Sequence, residues 1–146
     1  MEPFFDRFVN VLISTFDLLR HTPVSMLGVN NEAHFRVKEE AKWHNFGNTV
    51  APKEMWSTLL DRPGMQSLTI RQRPRPDKHP GHIEITVEPS ARVVPFGLYV
   101  RINEQLEFTT IPPESRASPM LEFLTQHWTE CQTFADRVFS HLTAGL

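Results

Sequence analysis

The residues of this chain best equipped for chemistry lie in one short stretch, Arg71-Gln72-Arg73-Pro74-Arg75-Pro76-Asp77-Lys78-His79. Four cationic side chains stand there against one carboxylate, a local charge of +3 in a chain whose formal net charge is -2. A cationic loop of this kind can hold phosphate, RNA or an acidic protein surface. No aromatic residue is interleaved with the arginines, so base stacking is not supported. The plainer reading is a solvated hairpin tip, kept from aggregating by charge and proline. Asp77, His79 and His82 follow one another closely, with Glu84 beyond, and imidazole and carboxylate at that spacing suit a metal held in a turn. His79-Pro80-Gly81-His82 reads equally well as turn chemistry, and no metal site is assigned. His127 and Cys131 are four residues apart, hence on one face of a helix, where a Cys–His pair can serve as nucleophile and base. Cys131 falls on an apolar seam, however, where cysteine behaves as a small hydrophobe.

Motifs with a defined mechanism are missing. There is no glycine-rich phosphate loop, GxSxG elbow, HExxH or CxxC. A single cysteine excludes an intrachain disulfide, and no cofactor is implied. Proline is in excess (12) and glycine short (6), while 40% hydrophobic and 22% charged residues are ordinary for a folded domain. Collagen, disulfide-scaffold, low-complexity and membrane-spanning classes are excluded. The first residues lack the basic start of a secretion signal, so a cytoplasmic location is expected.

Several elements must position these residues. Phe5, Phe8, Val9, Leu12, Phe16 and Leu19 recur at helical steps and predict a helix over 3–20, stopped by Thr22-Pro23. Residues 24–37 read as a strand with a bend or bulge near Gly28–Asn31, where Asn30 and Asn31 would satisfy turn backbone groups. Lys38–Lys42 begins a short helix. Ala51-Pro52-Lys53-Glu54-Met55-Trp56 begins another, ended by Arg62-Pro63-Gly64. Strands are expected over 67–73, 82–88 and 96–103, with Leu106 and Phe108 resuming the last one past a bulge. Three prolines among residues 74–81 make that segment a long hairpin loop. A proline-rich connector over 111–119 leads to a long helix with Ser118 as N-cap and Pro119 in its first turn. Leu121, Leu124, Trp128, Cys131, Ala135, Val138 and Leu142 form its seam, widened by Phe123, Phe134 and Phe139. Trp43, Trp56 and Trp128 are expected as core or interface anchors.

This order gives a single α+β domain over 1–146. It is a two-layer structure, with an antiparallel sheet of about four strands and the N-terminal and long C-terminal helices packed on one face. The stretch Leu18-Leu19-Arg20-His21-Thr22-Pro23-Val24-Ser25-Met26-Leu27-Gly28-Val29-Asn30 resembles small uncharacterised bacterial proteins in which a helix meets a TP break and then a GxN strand. The later order of three strands and a helix is similar to SecB-like chaperone and antitoxin-associated domains. That resemblance implies pairing through sheets or helices and binding of other proteins, and it carries no catalytic residue onto this chain. The expected function is a non-catalytic protein-interaction or assembly module, chaperone-like or a subunit of a larger complex, with a protein partner or a second copy. Its expected contact residues are Arg71, Arg73, Arg75, Glu84, Glu88, Tyr99 and Arg101, with addition to a free sheet edge as another route. The alternatives are a nucleic-acid-binding subunit using residues 71–79 and a small metal-dependent hydrolase using Asp77, His79 and His82.

Overall fold

A computed structural model describes residues 5–108 and 116–146. Its elements are α1 (Phe5–Leu18), β1 (Met26–Arg36), α2 (Glu40–Val50), β2 (Leu68–Gln72), β3 (Gly81–Pro89), β4 (Gly97–Glu107) and α3 (Ser118–Thr143). The four strands form one sheet in the order β1-β4-β3-β2, antiparallel at every step. The α+β architecture read from the sequence is the one found. Residues 3–4 of the expected first helix and 111–115 of the expected connector lie outside the described residues. Among the described residues no helix is long and apolar enough to cross a membrane.

Alternation along the strands sorts the side chains into two layers. Leu98, Val100, Ile102 and Leu106 of β4 are almost wholly buried, as are Ile83 and Val87 of β3. On this face lies α3, which runs over β1 and β4. Phe123 and Cys131 of α3 pack with Val29 and Leu106, and Phe139 meets the ring of Phe35 at 5.7 Å. The first half of α3 also receives α1, through a cluster of Val9, Met120, Leu121 and Leu124 joined by Leu12, Ile13 and Phe16. From α2, Phe46 reaches the cluster of Val87, Leu98 and Val100. The indole of Trp43 donates from Nε1 to the Gly97 carbonyl at 3.1 Å and holds α2 at the end of β4.

Three local expectations change. Neither expected bulge exists: β1 pairs with β4 residue for residue from Met26↔Glu107 to Arg36↔Gly97. Leu27, Val29, Asn31, Ala33 and Phe35 all have the same parity, so they share one face without a bend. Asn31 occupies an inward position in an otherwise apolar row and is buried. The same continuity in β4 places Glu104 inward between Ile102 and Leu106, where a bulge would have turned it out. Residue 117 rather than Ser118 is the N-cap of α3, with Pro119 in the first turn as expected. The helix expected from Ala51 is a run of turns over 53–60, with bonds from the Trp56 and Ser57 amides to the Lys53 carbonyl and from the Leu59 and Leu60 amides to that of Trp56.

Candidate functional site

The basic loop does not project as a cationic tip. Arg71 donates from Nε to Glu84 Oε1 at 2.6 Å, and Arg73 donates from Nη2 to Glu107 Oε2 at 3.1 Å. Arg75 turns inward, and its side chain is only 1% exposed. It donates from Nε to Asp77 Oδ1 at 3.0 Å and from Nη2 to Glu104 Oε2 at 3.0 Å. The three arginines Arg71, Arg73 and Arg75 are thus paired with four carboxylates, Glu84, Glu107, Asp77 and Glu104. This corrects the expected field of the loop, and it removes Arg75 from the expected contact surface because its guanidinium is held in the core. The backbone amide of His79 donates to Asp77 Oδ1 at 3.1 Å and tightens the turn. Gly81 closes the loop with φ +133°, and a Cβ there would stand 2.0 Å from the Gln105 carbonyl oxygen. Only glycine lets the chain return this close to β4.

Beneath the loop the charged groups are tightly placed. Arg75, Asp77, Glu104 and Cys131, with Phe123, His127 and Phe134, line a hollow of about 130 Å³. Burial raises the Glu104 carboxyl above its ordinary pKa of 4.5, and the ion pair with Arg75 only partly offsets it. Burial also acts to raise Asp77, but there the bonds and charge of Arg75 prevail and the net shift is downward. Burial acts to lower Arg75, and its two carboxylates more than reverse it. The Cys131 thiol is pushed up to about 12, first by burial and then by Glu104. A thiol held protonated in this way is not an activated nucleophile. His127 bonds from Nδ1 to Glu130 Oε2 at 2.8 Å and meets the His79 ring edge-on, with centroids 5.0 Å apart.

His82 belongs elsewhere. It lies on the opposite face of the sheet, 3.9 Å from Glu84, while His79 faces Phe123 of α3 on the covered side. The Asp77, His79 and His82 triplet is therefore split by the sheet. Among the described residues no group of three or more His, Cys, Asp or Glu side chains is placed to hold a metal.

Arg71, Glu84, Glu88, Tyr99 and Arg101 do come together, on the outer sheet face away from the apolar clusters. They are largely occupied with one another and with neighbours. Tyr99 donates to Glu32, Ser67 donates to Glu88 at 2.9 Å, and Thr69 and Thr86 share a bond of 3.0 Å. The bond from Arg71 holds the Glu84 carboxyl below its ordinary range. The bond to Glu32 holds the Tyr99 phenol above its own. Cross-strand pairs take up most polar groups of this face, and His82 Nδ1 and Asn103 Oδ1 are the buried atoms there without a hydrogen-bond partner among the described residues.

The apolar face presents the contrasting surface. Because α3 runs over β1 and β4, the apolar face is covered as far as β3, where Ile83 and Val87 are buried, and is left partly open at the β2 edge. Leu68, Ile70 and Ile85 there border a trough of about 670 Å³ whose far wall is Val138 and Leu142 of α3. Ile70 is 59% exposed although its side chain lies on the apolar face. Arg137 and His141 stand on the α3 rim, and Arg137 makes no ion pair with a described residue; its guanidinium lies 5.4 Å from the Phe134 ring. Among the described residues β2 is hydrogen-bonded in the sheet only to β3, so its other edge is open there. The alternation of Leu68 and Ile70 was visible in the sequence. What no sequence signal gave was the line taken by α3, which leaves this edge partly open. No protein-family model, curated protein or solved structure matches the chain.

Proposed function

We propose that this chain is a non-catalytic protein-interaction module that receives an amphipathic segment of a partner in the trough between β2, β3 and the C-terminal half of α3. The observation that supports this reading is the partly open apolar edge at β2, with Ile70 largely in water beside Leu68 and Ile85. A side chain such as Ile gains about 1.5–3 kcal/mol on full burial, so an added layer over three such residues has a large driving force. The open edge of β2 offers main-chain hydrogen bonds to an extended segment, and the trough equally admits a helix lying beside α3. Unpaired Arg137 and neighbouring His141 favour acidic residues flanking the partner's apolar side chains. The resemblance in element order to SecB-like domains points the same way, towards a chaperone-like binder or a subunit of a larger complex. The nucleic-acid alternative finds less support, since Arg71, Arg73 and Arg75 are each committed to a carboxylate.

Selection of a displayed random-peptide library on the immobilised protein tests the proposal. Enrichment of apolar segments with acidic flanks is expected, and it should vanish when the selection is repeated on Ile70→Asp. Equal enrichment on wild type and Ile70→Asp, or none on either, overturns it.

A further inference from the structure

Where β3 ends and β4 begins, the fold encloses a second hollow that shares no lining residue with the trough. It lies between α2, residues 62–65 and the two strand ends, and its volume is about 300 Å³. Trp43, Phe46, Met65 and Leu98 supply its apolar wall. That wall is fixed in place. Trp43 donates its indole N–H to the Gly97 carbonyl at 3.1 Å, and Phe46 and Met65 pack against the buried cluster of Val87, Leu98 and Val100. The hollow is therefore formed before anything enters it, as small-molecule sites usually are.

A glycine gives the hollow its depth. The apolar stripe of α2 runs Trp43, Phe46, Gly47, Val50, so Gly47 stands where the spacing calls for an inward side chain. A glycine inside a helix costs about 1 kcal/mol against alanine. A Cβ at this position would meet no atom within 4 Å, so no close approach of another element requires the glycine. Its effect is space, since Gly47 itself lines the hollow.

The charged groups around that space have one sign. Lys53 and Arg62 line it and no carboxylate does; Glu54 and Asp61, their neighbours in sequence, are not among the lining residues. Lys53 makes no ion pair with a described residue. Arg62 lies 3.8 Å from Asp61 with both side chains almost wholly in water, so that pair holds neither of them firmly. An apolar hollow with one free cation and a second at its mouth suits an anion with an apolar body. Volume sets the size of that body: a cavity of about 150 Å³ takes one benzene ring, so this one has room for two fused rings.

We propose that the hollow binds a small aromatic carboxylate, with its fused rings against Trp43 and Phe46 and its anion at Lys53 and Arg62. The site is independent of whatever occupies the trough.

Titration of the isotope-labelled protein with 2-naphthoate, followed in proton–nitrogen correlation spectra, tests this. The Trp43 indole and Gly47 amide signals are expected to shift together and to saturate with a dissociation constant below about 1 mM. 2-Naphthamide, the same body without the charge, should bind about tenfold more weakly. Lys53→Gln should weaken naphthoate to a similar degree and leave the naphthamide constant unchanged. Gly47→Leu should abolish binding of both compounds while the melting temperature holds or rises, because leucine fills the hollow and favours the helix. Absence of a saturable shift, shifts confined to trough residues such as Val138 and Leu142, equal affinity for acid and amide, or undiminished binding to Gly47→Leu overturns the proposal.

Discussion

The two ends of the covered sheet face solve the same problem in opposite ways. Under the first half of α3, the loop after β2 folds back and seals the sheet with Arg75, whose guanidinium is bonded to Asp77 and Glu104. Under the second half, no loop of the described residues seals the β2 edge in that way, and Ile70 stays 59% exposed beside the partly covered Leu68. At the sealed end charge has been taken into the core at a desolvation cost that its ion pairs offset in part, since Arg75 Nη1 and Glu104 Oε1 are buried there without a hydrogen-bond partner among the described residues. At the open end no such cost arises, but apolar area remains in water. The sealed end therefore concentrates stability, and the open end leaves free energy for an association.

The largest effect should come from breaking the seal. Arg75→Ala leaves Glu104 buried without its cation, a change that typically costs about 3–5 kcal/mol. Thermal unfolding followed by circular dichroism should show a melting point lower by on the order of 10 °C. Arg75→Met combined with Glu104→Leu removes both charges and should recover most of that loss, because a buried pair contributes little beyond its own desolvation. Ile70→Asp at the open end should change stability by no more than about 0.5 kcal/mol, as exposed substitutions generally do. If Ile70→Asp were as destabilising as Arg75→Ala, the trough would be part of the core and the contrast between the two ends would be false.

The sealed end also sets a dependence on pH with two opposed parts. Asp77 has a folded pKa below its unfolded value of 3.8. Its contribution is present above that value and is lost as pH falls through the folded one. Glu104 has a folded pKa above its unfolded value of 4.5, so the folded chain binds its proton more tightly. Stability therefore declines as pH rises through the interval between the two Glu104 values. Glu104→Gln keeps an oxygen for Arg75 and removes that titration. Denaturant midpoints measured from pH 4 to pH 8 should fall less with rising pH in Glu104→Gln than in the wild type. Curves that run parallel would show that Glu104 titrates alike in the folded and unfolded chains.

The sequence carried the open end and the sealed end unequally. The order of elements along the chain, the long final helix and the period-two faces of β3 and β4 were legible because each rests on local periodicity, whereas the sheet order β1-β4-β3-β2 was not. The arginines of the loop were visible as residue types, but their partners were not. Glu84, Glu107 and Glu104 lie 13, 34 and 29 residues further along the chain from Arg71, Arg73 and Arg75, and only the strand register brings them close. Glu104 did leave a trace: it interrupts the inward row Leu98, Val100, Ile102, Leu106 at an even position. The acid stays in that row because Arg75, framed by Pro74 and Pro76, meets it from the loop. The apolar spacing of Met55, Trp56, Leu59 and Leu60 was also present, but periodicity records which side of a coil is apolar and not whether anything covers it.

The smallest effect is expected on the outer face, and it completes the contrast. Arg71 and Glu84 make the same kind of bond there as Arg75 and Glu104 make in the core, yet the Arg71 side chain is 60% exposed. Water solvates either partner when the other is removed, so no buried charge is stranded. Arg71→Ala should leave the melting temperature at neutral pH and moderate salt unchanged within measurement scatter, with a slight loss appearing only at low ionic strength. Removing Arg71 also releases Glu84 towards its ordinary pKa. The lowered value stabilises above the unfolded pKa, and that contribution fades as pH falls through the folded one. For so solvated a pair it is too small to separate the two acid limbs or the two neutral melting points. A loss in Arg71→Ala as large as in Arg75→Ala would mean that the outer pairs act as one coupled network. The difference between the two arginines would then lie in their connections and not in their burial.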